Sequence, residues 1–314
     1  MLRLEKVSKV YKVGTFGGKE LHAVNEVSFD IKDGEIVSLI GESGSGKSTI
    51  GKMILRLLSI SSGRIWLDDL DITTIGKGEL KVYYRKVQGV FQDPFSSYNP
   101  IFKSDRIFEI LHSEFYPEMK EDEWRGKVIT AIESVGLHPD SVLNKYPHQL
   151  SGGQLQRFLI ARALLLDIQV LVADEIISML DASTRIEVLD LLADLKYRGL
   201  SILFITHDLS LANYISDQAV ILYRGYVAEM GATGKIFENP LHPYTKMLLA
   251  SVPRLDKKWE KAQAELSATQ PASTGGCVYK DRCPVAEKLC ASYTPKLTEI
   301  QDDHYVACIH YEGG

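Results

Sequence analysis

A lysine and a hydroxyl that close a glycine-rich run, Gly41-Glu42-Ser43-Gly44-Ser45-Gly46-Lys47-Ser48-Thr49, could do chemistry on phosphate. The run fits G-x-x-x-x-G-K-S/T. Its glycines free backbone N–H groups to point at phosphate oxygens, and a helix start behind it adds partial positive charge. Lys47 is placed to reach the β- and γ-phosphates of a nucleotide, and the Ser48 hydroxyl to ligate Mg²⁺. A second set of candidates is Asp174-Glu175. A carboxylate at a strand end can hold Mg²⁺ through water, and its neighbour can polarise an attacking water. His207 ends another apolar run, where ligands of α/β sheets bind. A third is Leu150-Ser151-Gly152-Gly153-Gln154, a helix start whose Ser, Gly and Gly leave free N–H groups for a second anion.

Cysteines supply a different chemistry. All four lie after residue 276, at Cys277, Cys283, Cys290 and Cys308, separated by five, six and seventeen residues. In a reducing compartment such clustering favours metal over disulfides. Four thiolates suit zinc or an iron–sulfur cluster; the C-x2-C pairs of zinc ribbons are absent, and Cys283-Pro284 resembles the Cys-Pro of clostridial-type ferredoxins. His304 and His310 are the alternative ligands.

Around these groups the sequence predicts alternating strands and helices. Ile36–Ile40, Val170–Ala173 and Ser201–Thr206 are apolar on both faces, as central parallel strands are. A helix is expected over 48–58, another from Ser151 through Ala163, and a third over 182–197 with Ile186, Leu189, Leu192 and Leu195 on its buried side and Gly199 ending it. Helical spacing also joins Ile107, Ile110 and Leu111, and Val128, Ile132 and Val135. Short β-type segments fill residues 1–40 and 64–92. The pattern reads as an α/β fold with a parallel sheet. A polar linker is expected over 256–276, followed by a Cys-rich segment, 277–314, too poor in core residues to fold without a staple.

The chain has 314 residues, 45% hydrophobic and 25% charged, and a net charge of −5. That length allows about two domains, and the acidic balance speaks against nucleic acid as a partner. No apolar run approaches the roughly 18 residues of a membrane helix, and the first residues read as a strand, not a signal peptide. A cytosolic chain that meets a membrane only through another protein is expected.

With the phosphate loop, Leu-Ser-Gly-Gly-Gln and Asp-Glu in this order, the chain resembles the ATP-binding-cassette ATPases over roughly residues 1–235. The resemblance implies a cassette over 1–255: a RecA-like parallel core, an antiparallel β subdomain and a helical subdomain at about 94–160. It implies that Tyr11 stacks on adenine, that Gly41, Ser43, Gly44, Ser45, Gly46, Lys47, Ser48 and Thr49 hold ATP, and that Gln92 contacts Mg²⁺ and water while sensing the membrane partner. It further implies that Ser48, Gln92 and Asp174 serve Mg²⁺, that Glu175 and His207 are catalytic, and that Asp181 belongs to the loop after the Asp-Glu pair. In this family Ser151, Gly152, Gly153 and Gln154 close over ATP held by a second subunit. Ile176 stands where the family usually has proline, which removes a φ restraint but no catalytic group.

The stretches Phe91–Pro100 and His242–Pro253 are similar to ATP-binding subunits of oligopeptide/dipeptide importers. That resemblance implies a non-identical second ATPase subunit, two permeases, a solute-binding protein, and a peripheral place on the cytoplasmic face of the membrane. Relatives in the subfamily also serve oligosaccharides or nickel. The C-terminal cysteines are similar to an extension that holds a 4Fe-4S cluster, with zinc as the alternative. A soluble, non-transport ATPase of the same superfamily would carry a coiled coil or tandem cassettes, and neither is present. A purely sensing subunit would have no use for Glu175 and His207.

Overall fold

A computed structural model describes residues 1–13, 18–251 and 275–312. The chain divides into two compact units, one of Met1, Ile31–Glu35 and Thr74–Phe204, the other of Leu2–Asp30, Ile36–Thr73 and Ile205–Gly314. Most of the 256–276 linker lies outside the described residues.

In the first unit the fully buried strand Val170–Asp174 lies between Ser201–Thr206 and Val87–Val90. It runs parallel to Val87–Val90, from Val87 opposite Val170 to Val90 opposite Ala173. Helix Gly152–Leu164 packs against Glu121–Ser134 and Ala182–Tyr197. Phe158 meets Phe108 with ring centroids 4.6 Å apart, and Trp124 stacks on His112 at 5.1 Å. Such aromatic pairs add to burial. Val128, Ile132 and Val135 are buried as their spacing predicts. Ile110 and Ile186 are not: they are 52% and 45% exposed; Leu111 is buried as expected, and Phe108 and Val188 fill the core where the isoleucines do not. Ile186 stands nearly half a turn away from the Val188, Leu192 and Leu195 stripe. Gly199, at φ +95°, ends its helix as expected, with the Leu200 N–H reaching the Leu195 carbonyl at 3.1 Å.

The second unit holds an antiparallel sheet in the order Lys19–Ile31, Leu2–Val13, Ser62–Leu67, Leu70–Asp71. It also holds five strands in the order Thr298–Gln301, His304–Val306, Tyr226–Ala232, Gln218–Tyr223, Ile36–Ile40. Only the last pair is parallel; the hairpin and the C-terminal strands pair antiparallel, so the sheet core is mixed and not parallel throughout. The hairpin turns on Arg224 and Gly225, both at positive φ, as a two-residue hairpin loop requires. The helix after the phosphate loop runs Lys47–Ile54, shorter than the expected 48–58, because Arg56 turns to φ +55° and breaks the ladder.

The Cys-rich segment is thus not left to fold alone: two of its strands extend a sheet. They are pinned by Glu229, whose buried carboxylate accepts from His304 Nε2 at 2.7 Å and from the Leu241 and His242 N–H groups, each at 2.8 Å. Among the described residues, no helix is long and apolar enough to cross a membrane.

Candidate functional site

The phosphate-type loop springs from the buried strand Ile36–Ile40 and feeds helix Lys47–Ile54. Gly46, at φ +105°, is the residue before that helix; a Cβ there would come within 2.5 Å of the Ala23 carbonyl. Only glycine meets both demands. Lys47 is buried, and its ammonium folds back to donate to the carbonyls of Gly41 at 2.7 Å and Glu42 at 3.0 Å. The loop therefore gathers a cation beside its own N–H groups, an arrangement that suits a polyphosphate. Ser45 is buried, and the hairpin supports it: the Gly225 N–H donates to the Ser45 carbonyl at 2.9 Å. Ser43 and Gly44 are exposed, and Ser48 and Thr49 half-buried.

Glu42 is gripped from the far end of the chain. Its N–H donates to the Tyr244 hydroxyl at 3.0 Å, and its carboxylate takes a bidentate pair from Arg282 at 2.8 and 3.0 Å. The carboxylate, with Tyr223 beside it, raises the Arg282 guanidinium above its ordinary pKa. Burial likewise pushes the Tyr244 hydroxyl up. Neither Arg282 nor Gly225 carries a local motif, and the importer-like stretch His242–Pro253 says nothing of Tyr244's contact; only the folded chain brings them to the loop. Tyr11 is half-buried in its strand with the Lys9 ammonium 5.3 Å from the ring centre, and His207 is exposed just beyond Thr206.

In the first unit Gln92 and Glu175 each lie two residues beyond the last paired residues, Val90 and Ala173, of adjacent parallel strands. The structure thus brings them to one end of one sheet, where ligands of α/β folds bind. Asp174 is buried at the strand end, and Glu175 adopts φ +51°. That left-handed backbone costs roughly 1–3 kcal/mol and clusters at functional positions. Ser178 holds it in place, donating to the Glu175 carbonyl through N–H at 3.1 Å and hydroxyl at 2.9 Å. Ile176 is buried where a proline was expected.

Ser151 and Gln154 form a reciprocal cap on helix Gly152–Leu164, Ser151 Oγ accepting from the Gln154 N–H at 3.2 Å and Gln154 Oε1 from the Ser151 N–H at 2.9 Å. Further along, Gln156 Nε2 donates to the Phe91 carbonyl at 3.3 Å, tying this helix to the backbone beside Gln92. Asp181 caps Ala182–Tyr197; the Ser183 hydroxyl, then the Thr184 N–H and hydroxyl, hold its carboxyl below the usual range. Arg185, another residue without a sequence signal, fixes the loop before it by donating to the carbonyls of Leu180 at 2.8 Å and Ser178 at 3.3 Å.

Cys277, Cys283, Cys290 and Cys308 are free and line one small cavity with His242, Tyr279 and His310. Burial raises the thiols of Cys277, Cys283 and Cys308, and neighbouring cysteines add to it. Burial pushes His242 down to about 4. Among the described residues no three of these donors stand close enough together to hold a metal ion. Mutual repulsion and desolvation oppose drawing four thiolates together without a cation. His304, its Nε2 paired with Glu229, does not line this cavity, while His310 does.

Known proteins match along the same segments. A family model described as ABC transporter matches residues 24–178, and one described as oligopeptide/dipeptide transporter, C-terminal region, matches 228–290. A putative peptide import ATP-binding protein of Brucella ovis is 41% identical over 294 residues, covering 92% of each chain. An oligopeptide transport ATP-binding protein of Bacillus subtilis is 39% identical over 327 residues, covering 99% of this chain and 97% of its own. Among solved structures, the dimeric post-hydrolysis state of an ATP-binding cassette bound to ADP and Pi superposes with a TM-score of 0.66 at 30% identity, over 74% of this chain and 99% of that one. The loop, the capped glycine pair and the Asp-Glu strand end thus place this chain in the ABC transporter family of ATPases, in the group that carries the oligopeptide/dipeptide transporter C-terminal region.

Proposed function

We propose that this chain is the ATP-hydrolysing subunit of a peptide importer, seated on the cytoplasmic face of the membrane against two permeases that are fed by a solute-binding protein. What carries the reading is the likeness to peptide-import ATP-binding proteins through both the cassette and the C-terminal segment, at 41% identity over 92% of the chain. ATP is held by Gly41–Thr49, with Tyr11 against the adenine. Lys47 turns from the loop carbonyls to the β- and γ-phosphates, and Ser48 serves Mg²⁺. In the other unit Asp174 and Gln92 serve Mg²⁺ and Glu175 orients the attacking water, while His207 contacts the γ-phosphate. Phosphoryl transfer to water then proceeds by positioning and charge neutralisation.

Ser151, Gly152, Gly153 and Gln154 close on ATP held by a second, non-identical ATPase subunit, with Asp181 in the adjoining loop. Gly152 supports this. A Cβ there would make only ordinary contact, 3.6 Å from Leu180 Cδ2, so nothing in its own fold requires glycine. Close approach by an outside group does.

The four cysteines would hold a thiolate-bound metal centre, a 4Fe-4S cluster, with zinc as the alternative, once drawn closer together than they stand here. Their convergence as free thiols on one cavity supports it. When bound, the metal supplies the positive charge that lets the thiols ionise and close the segment. Purified anaerobically, the chain should absorb near 400 nm with stoichiometric iron; a colourless zinc protein would decide for the alternative. For transport, the chain reconstituted with its permeases and partner subunit should hydrolyse ATP faster when peptide-loaded binding protein is added. No response to any peptide would overturn the peptide reading.

A further inference from the structure

We propose that the C-terminal cysteine segment positions the phosphate loop, with Arg282 acting through Glu42 as the residue that sets how tightly the loop holds ATP. This rests on the reading that the loop at 41–49 binds ATP.

An acidic residue in a loop that must hold a polyphosphate is a liability, because its charge repels the ligand at short range. Here that charge is neutralised by a bidentate guanidinium, the strongest kind of carboxylate partner. Glu42 is also the node of the loop's own bonding. Its carbonyl accepts from the Lys47 ammonium at 3.0 Å and from the Ser45 N–H at 3.1 Å, and its N–H is held by Tyr244. Moving Glu42 therefore moves the acceptor that steadies Lys47.

Arg282 is itself held by the cysteine segment. It ends the 3-10 turn Lys280–Arg282, which is bracketed by two cysteines: the Lys280 N–H donates to the Cys277 carbonyl and the Cys283 N–H to the Lys280 carbonyl, each at 3.3 Å. Its guanidinium lies 5.9 Å from the ring centres of both Tyr223 and Tyr279. Tyr279 lines the cysteine cavity and packs on Tyr244 at 5.4 Å. One aromatic cluster thus supports both grips on Glu42. A rearrangement of Cys277 or Cys283 displaces the turn that aims Arg282.

The test is steady-state ATPase kinetics and nucleotide binding on the full chain. Arg282→Ala should raise KM for ATP about 3- to 10-fold with kcat little changed, since an unpaired carboxylate would then stand in the loop that holds the phosphates. Arg282→Lys should fall between. Adding Glu42→Gln to Arg282→Ala should restore much of the affinity by removing the unpaired charge, a rescue that a merely structural role would not give. Cys283→Ser should raise KM similarly, and less than additively with Arg282→Ala. If Cys283→Ser does not fold by circular dichroism, iodoacetamide alkylation of the folded wild type replaces it: it should raise KM in the wild type and not in Arg282→Ala. Unchanged KM in Arg282→Ala, while Lys47→Ala loses ATP, would sink this inference and leave the loop's role intact. Unchanged binding in both would remove the reading it rests on.

Discussion

In the proposed hydrolysis Lys47 and Glu175 have separate parts. Lys47→Ala removes a buried ammonium that would meet the phosphates, a charge-assisted contact worth about 1.5–3 kcal/mol. ATP affinity should fall roughly 10- to 100-fold by equilibrium nucleotide binding. Glu175→Gln keeps shape and hydrogen bonding but loses the charge that orients water. Binding should persist while turnover drops about 100-fold or more, as loss of a positioned base costs. Both residues were legible because their motifs are contiguous and short. The positive φ of Glu175 was not, since no residue type announces it; it comes from the turn that Ser178 pins behind the strand. The contacts of Arg282, Tyr244 and Gly225 were equally silent, because their partners lie far off in sequence.

The helices show why a motif can serve structure and chemistry together. Ser151–Gln154 is a capping box in its own right, so its presence alone does not require a ligand. The two glycines separate the roles. A Cβ at Gly153 would sit 2.3 Å from Thr184 Cγ2, so Gly153→Ala should overpack the helix pair and cost about 1–3 kcal/mol in chemical denaturation. Gly152→Ala should leave stability within about 0.5 kcal/mol and instead lower ATPase activity of the assembled transporter at least 10-fold, if it meets the partner's nucleotide. Helix periodicity read most of these elements correctly and misplaced Ile110 and Ile186. Each of those helices has another apolar residue nearer the core, and the face was decided by packing. The phosphate-loop helix ended early for a local reason, the left-handed turn at Arg56.

For the whole molecule, the largest difference from expectation is the C-terminal segment. Its composition suggested a piece that needs a staple; the structure gives it a sheet edge, because His304–Val306 finds Tyr226–Ala232 from some 75 residues away. Pairings of that separation leave no mark in a local pattern. Glu229 is the anchor, and removing it strands a buried imidazole and two N–H groups. Glu229→Ala should cost about 3–5 kcal/mol and expose the segment after residue 275 to limited proteolysis, while Glu229→Gln should cost less. Proteolysis no faster than in the wild type would mean that the cysteine end is held by something else.

The grip on Glu42 also has a direction in time. Its N–H partner lies 202 residues later and its guanidinium 240 residues later. A ribosome releases the phosphate loop early, but the chain cannot complete the loop's native bonding until residue 282 has emerged. Glu42 therefore stays uncompensated until its guanidinium partner, 240 residues later, has been made, so the loop's native bonding is completed long after the loop itself.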